Sequence, residues 1–165
     1  PESYYDKPLT KTLFAQLNFD IADNGDFYVS FEADSLMYRY DHDYNQLACF
    51  GFAGRDMDLN YLRWDSYDQP WKERLAERMS RGFYNAVEYV DETGLLFRSY
   101  RKGGGSATDG LQVYRDGVLV GDVDVPLGFR MAGYVAPYYY SYVVPDEEGE
   151  RLYMFRFKWP FAPEE

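Results

Sequence analysis

The residues able to do chemistry are few in kind. His42 is the single histidine and Cys49 the single cysteine of this 165-residue chain. A Ser-His-Asp triad would have to be built on His42, and no G-x-S-x-G elbow is present to lift a serine out of a sheet. One His and one Cys cannot build a soft-ligand zinc or iron site, and Cys49 has no partner for an internal disulfide. His42 lies in Asp41-His42-Asp43 and reads as a solvated turn residue. Cys49 lies in the apolar run Leu47 to Phe50 and reads as a buried small hydrophobe. What remains is oxygen chemistry. The 28 Asp and Glu could hold Ca²⁺ or Mg²⁺ in a metal-assisted hydrolase or lactonase. Most of them fall in turns, among them Asp23, Asp26, Asp41, Asp43, Asp91 and Glu92, where solvation accounts for them. No catalytic residue and no cofactor is expected.

Binding residues are sought instead among polar side chains on strands. If Thr12 to Asp20 and Phe83 to Val90 are equivalent inner strands, then Asn18, Asn85 and Glu88 line the channel between them and are the candidate ligand residues. The competing reading is that the amides satisfy local backbone groups. Exposed rings could bind glycans: Trp64, Trp71, Trp159 and the run Tyr138-Tyr139-Tyr140-Ser141-Tyr142. Alternation puts Tyr138, Tyr140 and Tyr142 on one face and Tyr139 on the other, which a packed strand explains equally well. The loop around Gly103-Gly104-Gly105-Ser106 lacks the Lys-Ser/Thr pair and following helix of a phosphate loop.

The elements that must position these residues are mostly strands. Phe19 to Gly51 alternates aromatic and β-branched runs with Asp23-Asn24-Gly25-Asp26, Glu32-Ala33-Asp34-Ser35 and Asp41 to Asn45. This is the composition of an up-and-down antiparallel sheet of four strands, the first of them Thr12 to Asp20. The rhythm resumes at Phe83 to Val90, Leu95 to Tyr100, Leu111 to Tyr114 and Val118 to Val125. It continues through Phe129 to Val135, Tyr138 to Val144 and Arg151 to Trp159. Between the first two groups, about residues 68–82, the period changes. Pro70 opens a short helix to Arg81 whose Trp71, Leu75 and Met79 form an apolar stripe expected to pack on the domain, and Gly82 stops it. The lead-in Pro1 to Lys11 and the tail from Pro160 are expected to be irregular.

Composition bounds the function class. Hydrophobic content of 46% supports one folded domain over residues 1–165, and the 20% aromatic share with 18 Tyr suits half-buried sheet faces. The net charge of −11 argues against nucleic acid, and the basic residues alternate with acids, so there is no polybasic membrane patch. No apolar run is long enough to span a membrane as a helix. The start at Pro1, without Met or a signal-like segment, reads as processing or as a piece of a longer polypeptide.

The order strand, acidic-Gly turn, strand, loop, Leu-rich strand occurs at Phe19 to Phe50 and again at Tyr89 to Val123. Gly25 corresponds to Gly94, and Leu36 to Tyr40 corresponds to Leu111 to Arg115. A looser copy runs from Tyr138 through Asp146 to Gly149 and on to Arg156. Repeated four-stranded antiparallel units are the mark of a β-propeller. With Asn24-Gly25-Asp26-Phe27-Tyr28, Tyr40-Asp41, Leu47 to Gly51 and the ending Leu152 to Lys158, the chain resembles the C-terminal half of six-bladed, TolB-like and NHL-like propellers of exported proteins and lipoproteins of Bacteroides-type bacteria.

The fold class is therefore all-β: consecutive four-stranded antiparallel sheets, a partial propeller of about three blades, with one short inserted helix. The blade-like units are about 12–54, 83–125 and 129–159. The resemblance implies a non-enzymatic ligand- or protein-binding module in the periplasm or at the cell surface, whose partner is a protein, a small molecule or a glycan. Too few blades to close a ring imply self-association or a missing N-terminal half.

Overall fold

A computed structural model describes residues 14–62, 68, 70–146 and 150–160 of the chain. The regular elements of the described residues are antiparallel β-strands and one short helix. The first sheet is a meander of β1 (Leu17–Ile21), β2 (Phe27–Phe31), β3 (Met37–Tyr40) and β4 (Gln46–Phe50). Its turns are made by the expected chemistry. Gly25 supplies φ +86 between β1 and β2, and Asp41 Oδ1 accepts from the backbone N–H groups of Asp43 and Asn45 between β3 and β4. The second sheet repeats the meander with β5 (Phe83–Val90), β6 (Leu95–Arg101), β7 (Asp109–Arg115) and β8 (Val118–Val125). Asp116 and Gly117 both take positive φ, 50 and 77, in the tight turn before β8.

The third unit departs from expectation. β9 (Met131–Val135), β10 (Tyr138–Ser141) and β13 (Arg156–Phe157) form a three-stranded sheet, while β11 (Val144–Asp146) and β12 (Arg151–Tyr153) form a separate ribbon. The anticipated continuous strand Arg151 to Trp159 breaks at Met154 and Phe155. Arg151, Leu152 and Tyr153 are all exposed, whereas Phe155 and Phe157 pack on the core, so the chain bends to bring only its second half inward. Phe155 is held at the bend by a bond from its N–H to Ser141 Oγ and by its carbonyl, which accepts from Ser141 N–H. Residues 147–149 of the expected turn lie outside the described residues, and with β11 paired to β12 the looser third copy of the repeat is in a different register from the first two.

The second sheet lies in the middle and is covered on both faces. Leu96, Val87 and Tyr114 meet Tyr28 and Met37 of the first sheet. Phe97, Leu111 and Val113 point the other way, to Phe129, Met131 and Tyr139. This is why β6 and β7 are buried along nearly their whole length. Arg98 is fully buried between the first two sheets. Its guanidinium donates to Ser30 Oγ at 2.8 Å, Ser35 O at 2.8 Å and Asp34 O at 2.5 Å, and lies 3.2 Å from the Tyr84 ring centroid. The charge is thus held by a hydroxyl, two carbonyl oxygens and a ring face, with one bond on β2 and two on the β2–β3 turn.

The helix, α1 (Trp71–Ser80), docks by the opposite face from the one its periodicity indicates. Trp71, Leu75 and Met79 are 67%, 42% and 53% exposed, and the buried residue is Glu77. Glu77 accepts from Leu62 N–H at 2.7 Å and from Arg81 Nε at 2.9 Å, and Arg78 pairs with the buried Glu32 while lying over the Phe83 ring. Charge-assisted bonds, each stronger than a neutral one, seat this helix, leaving its apolar stripe outward. Cys49 is also exposed, because β4 is an edge strand and Cys49 lies opposite Tyr38 on its outer face. The expected strand from Thr12 starts at Leu17; Thr12, the lead-in before it, Trp64 and the tail after Pro160 lie outside the described residues.

Candidate functional site

β1, β5 and β9 are each the edge strand of their own sheet and lie side by side, β1 against β5 and β5 against β9. No ladder joins them, so the edge groups of β5 are satisfied by side chains and loops. Asp20 Oδ2 accepts from Tyr89 N–H at 2.7 Å, Glu32 O accepts from Tyr84 N–H at 2.9 Å, and Asn18 Nδ2 donates to Tyr84 O at 3.4 Å. Asn18 thus serves the backbone of the next sheet, the role that a strand edge in need of partners dictates. On the other side, Ser99 Oγ accepts from Met131 N–H at 3.0 Å.

Asn85 stands at a bulge. Tyr84 pairs with Tyr100 and Ala86 with Ser99, leaving Asn85 with no cross-strand partner. A bulge re-aims a side chain, and here Asn85 is aimed into two adjoining clefts. The smaller, about 300 Å³, is lined by Asn18, Asn85, Arg130, Met131 and Tyr142 among others. The larger, about 820 Å³, is bounded by Gln16, Glu32, Phe83, Arg101, Asp109 and Arg130, with Asn85 again in its wall. Asn85 Oδ1 is buried and has no hydrogen-bond partner. Asn18 and Asn85 are therefore brought together.

Glu88 lines neither cleft; its Oε1 faces the backbone of Gly133 on β9, 3.6 Å from where a side chain there would begin. Burial, and secondarily the charge of Asp20, pushes the Glu88 carboxyl up to about 7. Asp109, in the larger cleft, is also raised by burial, against the bond it accepts from Gly128 N–H at 2.7 Å.

Arg101 and Arg130 were not singled out by the sequence. Neither makes an ion pair among the described residues; Arg101 lies over Phe83 and Arg130 over Tyr142. A usable signal was the ending of the second strand in each sheet: Ser30-Phe31, Ser99-Tyr100 and Ser141-Tyr142, with all three serines fully buried. Aligning those endings puts the segment entering β9, and with it Arg130, beside the first strands of the other two sheets.

The second surface of interest is the outer face of the first sheet. Leu17, Phe19 and Ile21 are 50%, 59% and 59% exposed. They lie opposite Phe31, Val29 and Phe27, and the row continues to Tyr38 and Tyr40 on β3. Phe27 stacks on Tyr40 at 5.3 Å, so the rings form one apolar sheet face.

The glycan-candidate rings among the described residues have different surroundings. Trp71 is on the exposed side of α1, Trp159 packs against Gly121, and Tyr139 is 1% exposed inside the core. Among the described residues no three His, Cys, Asp or Glu side chains gather at one point, and no helix is long and apolar enough to cross a membrane. Comparison of the chain with protein-family models, with curated proteins and with solved structures finds no match.

Proposed function

We propose that this chain is a non-enzymatic binding and scaffold module, built as an arc of blade-like sheets of the β-propeller kind. Three features support the propeller reading: two successive four-stranded meanders, first strands lying side by side, and a third sheet packed on the far face of the second. The observation that carries the binding role is the outer face of the first sheet, with Leu17, Phe19 and Ile21 each at least half exposed. The opposite face of that sheet buries Tyr28 and Met37 against its neighbour, so a second sheet on the outer face would repeat a packing the fold already uses.

The occupant we assign to the isolated chain is a second copy, because one apolar patch can cover itself across a two-fold axis without placing charge against charge. Cys49 reports on this directly. Its thiol lies on the same outer face, so its rate of alkylation should fall as protein concentration rises. Phe19→Lys should abolish that protection. A rate independent of concentration would refute the assignment.

A further inference from the structure

In the larger cleft the balance of charge runs against that of the chain as a whole. The chain as a whole has a net charge of −11. Of the charged groups in the cleft wall, Glu32 is committed to Arg78 and to Gln16 N–H, and Asp109 accepts from Gly128 N–H. Asp109 is also 2% exposed, with burial favouring its neutral form. Among the described residues Arg101 and Arg130 make no ion pair, so the charge left over in the described cleft wall is positive. Beside them Asn85 Oδ1 is a buried acceptor without a donor. An unpaired buried acceptor costs stability that a ligand's N–H or O–H would recover. Phe83, Leu127, Val144 and Pro145 supply apolar wall. The volume, about 820 Å³, is that of a small-molecule site.

We propose that this cleft binds a small carboxylate ligand, with Arg130 and Arg101 attracting the carboxylate and Asn85 Oδ1 accepting a hydrogen bond from a donor on the same molecule. A monoanion suits the cleft better than a phosphate dianion, because the Glu32 carboxylate stands in the same wall and would repel the second charge. Guanidinium groups recognise carboxylates through charge-assisted bonds. The inference deepens the binding-module reading and rests on it. The assembly test reads Cys49 and this one reads Asn85, so each can fail alone.

A sugar acid and an acylated amino acid both present a carboxylate beside a donor, and paired probes distinguish them. The ¹⁵N-labelled protein is titrated with D-glucuronate against D-glucose, and with N-acetylglycine against N-acetylglycinamide, following the Asn85 side-chain amide. Saturable shifts are expected with at least one carboxylate, with its neutral counterpart about tenfold weaker. The stronger pair names the source. Arg130→Gln and Arg101→Gln should each weaken that binding by about tenfold with an otherwise unchanged spectrum. Equal binding of acid and neutral probe, carboxylate binding unaffected by both substitutions, or no saturable shift with either acid would each overturn the proposal.

Discussion

Asp20 of β1 accepts a hydrogen bond from the backbone N–H of Tyr89 of β5 at 2.7 Å, across a junction where two sheets meet edge to edge without a ladder. The first strand of one sheet thus supplies, from its side chain, what the next sheet's edge strand would otherwise lack. Asp20→Ala should cost about 1–3 kcal/mol in urea unfolding, since it leaves a half-buried donor unpaired. Asp20→Asn keeps an acceptor and should cost less. Equal stability of Asp20→Ala and the parent would remove this bond from the account.

The same junction sets a pH dependence. Folded Glu88 titrates near 7 against 4.5 for an ordinary glutamate, so between those values the folded form holds the extra proton. Its stabilising contribution is fully present below about 4.5 and is lost as pH rises through 7. Stability measured from pH 5 to 8 should therefore contain a falling component that Glu88→Gln abolishes, and Asp20→Asn should move its midpoint to lower pH. A Glu88→Gln profile parallel to the parent's would contradict the assignment.

Arg98 joins the first two sheets through Ser30 and the carbonyls of Asp34 and Ser35. Arg98→Ala strips these of their donor and should cost about 3–5 kcal/mol, the usual result of breaking a buried charged network. Arg98→Lys should recover only part, because one ammonium cannot span three acceptors fixed for a planar fork. Chemical denaturation of both variants checks the order: parent, Lys, Ala.

The strands were legible because their turns are spelled locally. Gly25 and Asp116-Gly117 take positive φ, and Asp41 caps its own turn, so the turns of the first two sheets follow from neighbours in sequence. The helix orientation was not legible, because Glu77 is buried by Leu62 and Arg81, and Arg78 by Glu32, partners that hydrophobic periodicity ignores. Cys49 looked buried because Leu47 to Phe50 is apolar, but whether a sheet face is covered depends on what lies against it. The third sheet was miscounted because the bend at Phe155 is set by Ser141, a contact between different strands. Asn18 and Asn85, which strand alternation singles out, line one cleft, while Arg101 and Arg130 required the relative placement of sheets.

Among the described residues nothing covers the outer face of the first sheet, and solution mass tests its role in binding most directly. An apolar face holding Leu17, Phe19 and Ile21 at half exposure or more is of the kind that pairs, and about 1,600 Å² of burial makes an ordinary stable interface. Light scattering at micromolar concentration should give a mass above the 19.4 kDa of one chain, falling to that value in Phe19→Lys and Ile21→Lys. A single species of 19.4 kDa that unfolds cooperatively, unchanged by either substitution, would contradict the account and identify the stacked sheets as a self-contained unit.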